Sequence, residues 1–406
     1  MIADLVQNAE TLVQEKFTPE RVVLFASLII CILLIFIWNS HTRAKKFFGL
    51  KQKAGQAEMW VPSNIRWPTP REYPNWSIET TKPLPYRPFK YGPKYFVTIG
   101  LRNTKPEDWI EMDNEFPRFY HEKMARIKSR GPKCCRTLPE GYDAAVELLE
   151  ELVEYLPSRY PTLYSRVKKG VIKNLWSEEI IDTASRPFAE DPMQIAGRLT
   201  QDDLAVMIEK PNVNYYFMAG AILLAGFWRL EDKLGLSLRE IHTSAQVPHY
   251  EERLEKGMNN LFRRLKPEQL VTRNNYTLQL DGDLPWSSSI GREDSDDIGW
   301  HNAPDGRSIE YHHLRTERQS LRRLPRTGAI VFTIHTYLVP ITQIAKEDYV
   351  PGRLASAIRS WDDTVSVYKG QAKFKHILLD YLDEQHRIQI DKGLNLEDED
   401  SRRYPW

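Results

Sequence analysis

The residues best suited to chemistry form an arginine-rich stretch followed by an apolar run, "RTERQSLRRLPRTGAIVFTIHTYLVP", residues 315–340. Guanidinium groups bind carboxylates and phosphates through paired hydrogen bonds, so an anionic ligand is one interpretation of this stretch. If the arginines lie on a helix, Arg315, Arg318 and Arg322 share one of its faces. A solvated basic face, balanced by Glu317 and the acidic loop "REDSDD", is the alternative.

The apolar run after the arginines alternates as a β-strand does. Pro325 is expected to end the helix, and Gly328 permits a sharp turn before the strand. One face of the strand is predicted to lie in the core, and it carries Ile330, Phe332, Ile334 and Leu338. The other face suits either the wall of a polar cavity or a solvated sheet surface, and it carries Val331, Thr333, His335 and Tyr337.

Further helices and strands must position these residues. Apolar residues at helical spacing predict helices in "GYDAAVELLEELVEYLP", "LTQDDLAVMIEK", "VPHYEERLEKGMNNLFRRL" and two C-terminal stretches. The apolar run from Tyr215 to Trp228 is compatible with one helix or with two strands, and we favour strands. "TRNNYTLQL" is a strand candidate, and residues 286–305 are predicted to form a loop.

The overall composition excludes several classes of function. The chain has 406 residues, of which 41% are hydrophobic, so it can bury a large core. Its 56 basic and 55 acidic residues nearly cancel, which argues against nucleic acid as a partner and requires any anion site to be local. Cys31, Cys134 and Cys135 form neither a disulfide framework nor a spaced metal site, as is typical of a reducing compartment.

Residues 22–38 carry no charge and would span roughly 25 Å as a helix, enough for a thin membrane. A cleavable signal peptide is the alternative, but no small-residue cleavage site follows the segment. Acidic residues precede it and basic residues follow it, which predicts a single-pass protein with a cytosolic C-terminal domain. The endoplasmic reticulum is the favoured membrane, with the mitochondrial outer membrane as the alternative. The sequons at Asn75 and Asn275 would report the opposite orientation.

The sequence therefore predicts a series of segments along the chain. They are a short non-cytosolic segment over 1–21, a transmembrane anchor over 22–38, a linker rich in proline and aromatic residues over 39–85, the main domain over 86–345, C-terminal helices over 346–392 and an acidic tail over 393–406.

The arginine stretch, together with "RPFKYGPKYFVTIGLRNTKPEDWIEMDNEF", "RLTQDDLAVM", "FWRLEDKLGLSLREIH" and "RNNYTLQ", resembles the heme-dependent oxidative N-demethylase alpha-subunit-like family. The likeness extends over about residues 87–338 and is close to the fungal members called HRQ family proteins. It implies an α+β fold, in which a PAS-like antiparallel sheet flanked by helices encloses heme b. Here that domain would follow one N-terminal transmembrane helix.

The resemblance also implies roles for particular residues. His242 matches the position of the axial heme ligand, with His249 and His335 as rivals. In this scheme Arg315, Arg318 and Arg322 would bind the heme propionates. His335 and Tyr337 would line the distal or substrate side as catalytic residues.

The activity implied by the resemblance is oxygen-dependent removal of a methyl group from a small amine. The sequence carries no dinucleotide fingerprint after a strand and no cysteine spacing for an iron–sulfur cluster, so we expect no flavin or iron–sulfur site in this chain. A separate reductase would then supply the electrons. The alternative is a non-catalytic PAS-like heme- or ligand-binding sensor or scaffold at the membrane.

Overall fold

Two antiparallel sheets form the framework of the protein. The computed structural model describes residues 60–92, 94–212 and 214–396, which belong to a unit that begins at Trp60. The strands are β1 (Arg102–Thr104), β2 (Cys135–Thr137), β3 (Tyr164–Lys168), β4 (Val171–Asn174), β5 (Ile180–Asp182), β6 (Asp203–Glu209), β7 (Tyr215–Ala221), β8 (Leu270–Gln279), β9 (His313–Arg323) and β10 (Ile330–Pro340). The larger sheet has seven strands in the order β1-β8-β9-β10-β6-β7-β2, and the smaller has the order β3-β4-β5.

Helices surround the larger sheet. They are α1 (Phe116–Arg130), α2 (Tyr142–Arg159), α3 (Pro192–Leu199), α4 (Leu238–Ser244), α5 (Glu255–Arg264), α6 (Ile341–Ile344), α7 (Val350–Arg359), α8 (Asp363–Tyr368) and α9 (Lys375–Asp391). A π-helical turn, Tyr250–Leu254, leads into α5. Antiparallel sheet and helices together confirm the predicted α+β class. Within the described ranges no helix is long and apolar enough to cross a membrane. The predicted transmembrane helix over 22–38 lies outside them.

The arginine stretch is strand β9, so the predicted helix there is wrong. β9 pairs along its length with β8 on one side and β10 on the other, and this pairing outweighs the local helical preference. Because side chains alternate along a strand, Arg318 and Arg322 share one face of the sheet and Arg315 lies on the other. The three guanidinium groups therefore do not form one basic surface.

Other predictions had mixed outcomes. The helix expected to begin at Thr200 is wrong, because residues 203–209 form β6 at the centre of the sheet. Of the two strands favoured between Tyr215 and Trp228, the first is confirmed as β7, and residues 222–228 do not form a second. The predicted strand from Ile330 is confirmed as β10, and both of its faces are largely buried.

The two faces of the larger sheet have different surroundings. The helix-covered face carries Arg318, Arg322, Thr333, His335 and Tyr337, and the core on this side includes residues of α1, α2 and α3. The crossover face carries Ala205, Val271, Arg273, Glu317, Leu321 and Phe332. Its apolar residues pack with the segment that connects β7 to β8, residues 222–269.

A tight turn closes the hairpin of β9 and β10. Gly328 has φ +71°, and a Cβ atom there would lie 2.1 Å from the Trp60 ring. Trp60 Nε1 donates to the Pro325 carbonyl at 3.3 Å, and the Ser63 amide donates to the same oxygen at 2.9 Å. The chain that precedes the first strand is thus fixed to this hairpin.

Candidate functional site

The residues predicted to act together lie on opposite sides of the sheet. His335 and Tyr337 belong to the helix-covered face, where His335 has no exposed surface. His242 lies in α4, whose Leu238 and Ile241 pack against the crossover face. The structure therefore does not bring His335 and Tyr337 together with His242.

His335 is an imidazolium between two carboxylates. Its Nδ1 lies 2.8 Å from Asp202 Oδ1, and its Nε2 lies 3.7 Å from Asp113 Oδ2. Burial disfavours the charged ring, but the contacts with Asp113 and Asp202 outweigh burial and raise the pKa of His335 to about 10. The ring stacks on Phe119 and Tyr337, at centroid distances of 5.9 and 4.5 Å. Nε2 has no hydrogen-bond partner among the described residues, so in this structure the ring balances the charge of the two carboxylates.

Glu111 organises the next part of the helix-covered face. Its carboxylate accepts hydrogen bonds from Tyr86 Oη at 2.5 Å and from Tyr337 Oη at 2.6 Å. Arg318 Nε pairs with the same carboxylate at 3.0 Å, and the guanidinium also donates to the Trp109 carbonyl at 3.3 Å. The catalytic roles of Tyr337 and His335 stay predictions.

The other two predicted propionate ligands are also engaged with protein groups. Arg322 pairs with Glu151 at 2.9 Å, and its guanidinium lies 3.8 and 4.3 Å from the ring centres of Trp67 and Trp109. Arg315 donates to the Leu284 carbonyl at 3.0 Å and to the Leu224 carbonyl. Arg315 Nε, Arg322 Nε and Arg322 Nη1 are nevertheless buried without a hydrogen-bond partner in the described chain, and the propionate role of these arginines stays a prediction.

His242 is arranged as a metal ligand would be. Its Nδ1 lies 2.7 Å from the Leu238 carbonyl, which can only accept, so Nδ1 carries the proton and Nε2 keeps its lone pair. The ring stacks on Tyr250 with centroids 4.6 Å apart and planes 8° apart. Burial lowers the pKa of His242 to about 4, which keeps the ring neutral at physiological pH. Within the described chain, Nε2 has no hydrogen-bond partner.

The rival histidine His249 is differently placed. Its Nε2 lies 3.0 Å from Asp362 Oδ2, and its Nδ1 lies 3.6 Å from Glu252. Both ring nitrogens therefore face carboxylate oxygens, whereas Nε2 of His242 has no such partner in the described chain. His242 is the better candidate for a metal ligand on this comparison.

Sequence reasoning missed three charged residues, Arg273, Glu317 and Lys369, of which Arg273 and Glu317 share the crossover face of β8 and β9. Arg273 projects from β8, and its charge acts on both His242 and Lys369. Burial lowers the pKa of Arg273, and its Nε is buried with no hydrogen-bond partner in the described chain. Burial lowers the pKa of Lys369 to about 8, although the negative charge of Glu317 acts to raise it. The cluster thus holds two cations and one carboxylate.

The crossover face is apolar and almost completely buried at the middle of the sheet. Ala205, Val271 and Leu321 lie across the middle of the sheet, yet each keeps 6% of its surface accessible. On the helix-covered face, Val206 and Val331 are at 0%. Ala205, Val271 and Leu321 pack in one cluster with Leu238 and Ile241 of α4, so the sheet presents an apolar surface on the side that carries His242.

His242, Arg273, Lys369 and the crossover face suit a heme better than the residues that line a surface cavity elsewhere on the protein. A heme needs an axial donor, cations for two propionates and an apolar slot. His242 supplies a free lone pair, Arg273 and Lys369 supply the cations, and the crossover face supplies the apolar floor. A surface cavity of about 340 Å³ is lined by Arg118, Glu122, Arg126, Gly282, Asp283, Leu284, Pro285 and Trp286, and it contains no histidine, cysteine or tyrosine.

Fold and site together define an α+β protein with a histidine-based candidate heme site between the sheet and its long crossover. The family described as "Haem-dependent oxidative N-demethylase, alpha subunit-like" matches residues 100–379. The chain belongs to this family, as its resemblance in sequence implied. The closer likeness to the fungal HRQ members stays a prediction.

Proposed function

We propose that this chain binds heme b on the crossover face and acts as an oxidative N-demethylase on a small amine. The observation that carries the proposal is the state of His242, whose Nδ1 donates to a backbone carbonyl while Nε2 keeps a free lone pair. A hydrogen bond from the second ring nitrogen is the usual means by which proteins orient a metal-bound histidine. Membership of a heme-dependent family supports the same conclusion.

Each residue of the site has a role in this proposal. His242 holds the iron, and Tyr250 keeps the imidazole plane in place by stacking. Arg273 would bind one propionate, and Lys369, whose Nζ also donates to the Tyr276 carbonyl, would bind the other. The residues of the crossover face exclude water from the reacting carbon. When bound, heme would supply the activation of dioxygen for oxidation of the carbon–hydrogen bond next to nitrogen.

The sheet supports the PAS-like arrangement that the resemblance implies. Its five central strands run in the order β7-β6-β10-β9-β8, and the long crossover follows the second of them in the chain. The crossover contributes α4, and with it His242, to the space over the sheet. Placement of the ligand on this crossover therefore agrees with the proposed fold.

Heme uptake by the full-length protein tests the proposal. We expect the wild type to develop a Soret band with added hemin. The His242→Ala variant should lose or shift that band, because the axial donor is gone. The matched control is His249→Ala, which removes a histidine held by carboxylates. A wild type that folds but takes up no hemin would refute the proposal.

Turnover separates the enzyme from the alternative of a non-catalytic heme- or ligand-binding sensor or scaffold. For an enzyme, a separate reductase is needed, and oxygen consumption should then depend on added dimethylamine with release of formaldehyde. Stable heme binding without turnover, across reductases and small amines, would favour the sensor.

We also propose that residues 22–38 anchor the protein in the endoplasmic reticulum or mitochondrial outer membrane, with the folded unit in the cytosol. The uncharged stretch and its basic C-terminal flank support this orientation. Asn75 is an exposed sequon and therefore a good reporter, whereas Asn275 lies half-buried in β8. We expect no glycan on Asn75 in cells. A mass shift that is removed by a glycosidase would show that the folded unit has the opposite orientation.

A further inference from the structure

One guanidinium and two indole groups meet where the segment that precedes the first strand crosses the sheet. Arg322 projects from β9 on the helix-covered face, and its guanidinium carbon lies 3.8 Å from the ring centre of Trp67 and 4.3 Å from that of Trp109. The two indole rings lie 6.4 Å apart, with their planes at 63°. Arg322 and Trp109 have no exposed surface. We call these three side chains the Arg–Trp cluster.

The Arg–Trp cluster has more hydrogen-bond donors than acceptors. Arg322 Nε, Arg322 Nη1, Trp67 Nε1 and Trp109 Nε1 are all buried, and none of them has a hydrogen-bond partner in the described chain. Arg322 Nη2 donates to Glu151 Oε2 at 2.9 Å. The nitrogens of guanidinium and indole groups can only donate. Buried donors without an acceptor are rare in folded proteins, so four in one cluster indicate a bound acceptor.

The chemistry of the donors favours an anion as this acceptor. A single-atom anion accepts hydrogen bonds from several directions at once, which suits donors carried by three different side chains. Burial lowers the pKa of Arg322, and a second negative charge beside it would help to stabilise the charged guanidinium. Glu151, whose side chain is 22% exposed, is the partner that Arg322 already has.

A water molecule is the competing occupant. It accepts two hydrogen bonds, so one water molecule would leave two of the four donors without a partner. It must also donate two protons of its own, and the cluster offers it few acceptors. A halide has neither restriction.

We propose that the Arg–Trp cluster binds one small monovalent anion of the halide class, such as chloride. The ion would join Trp67 of the entering segment to Arg322 of β9 and to Trp109, which follows the turn Pro106–Asp108. It would thereby stabilise the packing of that segment against the sheet. The cluster lies on the face of the sheet opposite the proposed heme site, so this inference does not depend on heme binding.

Urea denaturation of the full-length protein in a non-ionic detergent tests the proposal. Sodium chloride replaces sodium gluconate stepwise at constant ionic strength, so that charge screening does not change. A ligand that binds the folded state raises the free energy of unfolding as its concentration rises. We therefore expect chloride to stabilise the wild type, whereas gluconate is too large to enter the cluster.

Two tryptophan substitutions show whether the donors are responsible. Trp67→Phe keeps an aromatic ring beside Arg322 but removes one donor, and it should need at least tenfold more chloride for the same gain in stability. Trp60→Phe is the matched control. Trp60 also stacks on an arginine of β9, Arg323, at 4.7 Å, but its Nε1 already donates to the Pro325 carbonyl at 3.3 Å. This variant should respond to chloride as the wild type does.

Two results would overturn the inference. One is a wild type whose stability does not change as chloride replaces gluconate. The other is an equal chloride dependence in the wild type, Trp67→Phe and Trp60→Phe, which would show a general salt effect. If Trp67→Phe does not fold, Trp109→Phe removes a different donor of the same cluster. Its chloride dependence should also be at least tenfold weaker, and an unchanged dependence overturns the proposal.

Discussion

His335 Nδ1 and Asp202 Oδ1 are 2.8 Å apart, and neither side chain has exposed surface. Removal of one member of such a pair leaves a buried charge without its partner, which costs about 3–5 kcal/mol. We therefore expect His335→Gln to lower the free energy of unfolding by ~3–5 kcal/mol, measured by urea denaturation. His301→Gln is the control, because His301 also pairs with an aspartate, Asp297, but at the surface. A loss in His335→Gln no greater than in this control would contradict the buried imidazolium.

The stabilising effect of His335 should depend on pH. Its pKa is about 10 in the folded protein, against 6.5 for an ordinary histidine. A histidine whose pKa is higher in the folded state stabilises the fold fully at pH values below its unfolded-state pKa. This stabilisation is lost as the pH rises through the folded-state pKa. The difference in unfolding free energy between wild type and His335→Gln should therefore be largest below about pH 6.5 and shrink towards pH 10. A constant difference over this range would show that the ring does not titrate as described.

Arg322 should not tolerate replacement by lysine. Its planar guanidinium lies between Trp67 and Trp109 while it pairs with Glu151, and an ammonium cannot stack in the same way. We expect Arg322→Lys to lower the unfolding free energy by about 1–3 kcal/mol. Arg326→Lys, at a side chain that is 59% exposed, should change it by less than about 0.5 kcal/mol. Equal effects of the two substitutions would argue against stacking as the reason for arginine.

Lys369 should contribute to heme affinity if it binds a propionate. We expect Lys369→Met to weaken hemin binding about tenfold, the effect of losing roughly 1.4 kcal/mol. The measurement is hemin transfer to a competing heme-binding protein. Lys375→Met changes an exposed lysine at the start of α9 and serves as control. Unchanged hemin retention in Lys369→Met would show that Lys369 does not bind a propionate.

Heme retention should also resist mild acid. The pKa of His242 is lowered to about 4, so its lone pair stays available well below the usual histidine range. A lowered histidine pKa means that the neutral form persists as pH falls, and ligation is lost only as pH approaches the folded value. The Soret band should therefore be stable from pH 8 to about 5 and decline towards pH 4. Its loss near pH 6.5 would contradict His242 as the ligand.

The fold could be predicted from sequence where a strand or helix has a regular pattern. β10 alternates clearly from Ile330, and the spacing of leucines in α2 is that of an amphipathic helix. β6 and β9 could not be predicted in this way, because their strand conformation depends on pairing with neighbouring strands that are distant in sequence. Asp203 illustrates the reason. Its sequence context is that of an acidic residue in the first turn of a helix. In the structure it is buried in β6 and accepts hydrogen bonds from the Leu223 and Leu224 amides.

Sequence reasoning reached only some residues of the candidate site. His242 came from resemblance to a family, since nothing in its local sequence marks it as a ligand. Arg273 and Lys369 are far apart in the chain, and only pairing of β8 with β9 and the packing of α8 bring both near Glu317. The polar alternation in "RNNYT" was the one available signal, because Arg273 and Asn275 share a face of a strand.

The contacts of Trp60 and Trp67 have a mechanical consequence. Arg323 lies 4.7 Å from the Trp60 ring centre, and Arg322 lies 3.8 Å from that of Trp67. Two successive residues of the central strand β9 thus pack against tryptophans of the segment that precedes the first strand. A force applied to the chain at Trp60 would therefore act directly on β9, the strand that carries both arginines. A fragment that begins after Trp67 would lose these contacts and uncover both arginines.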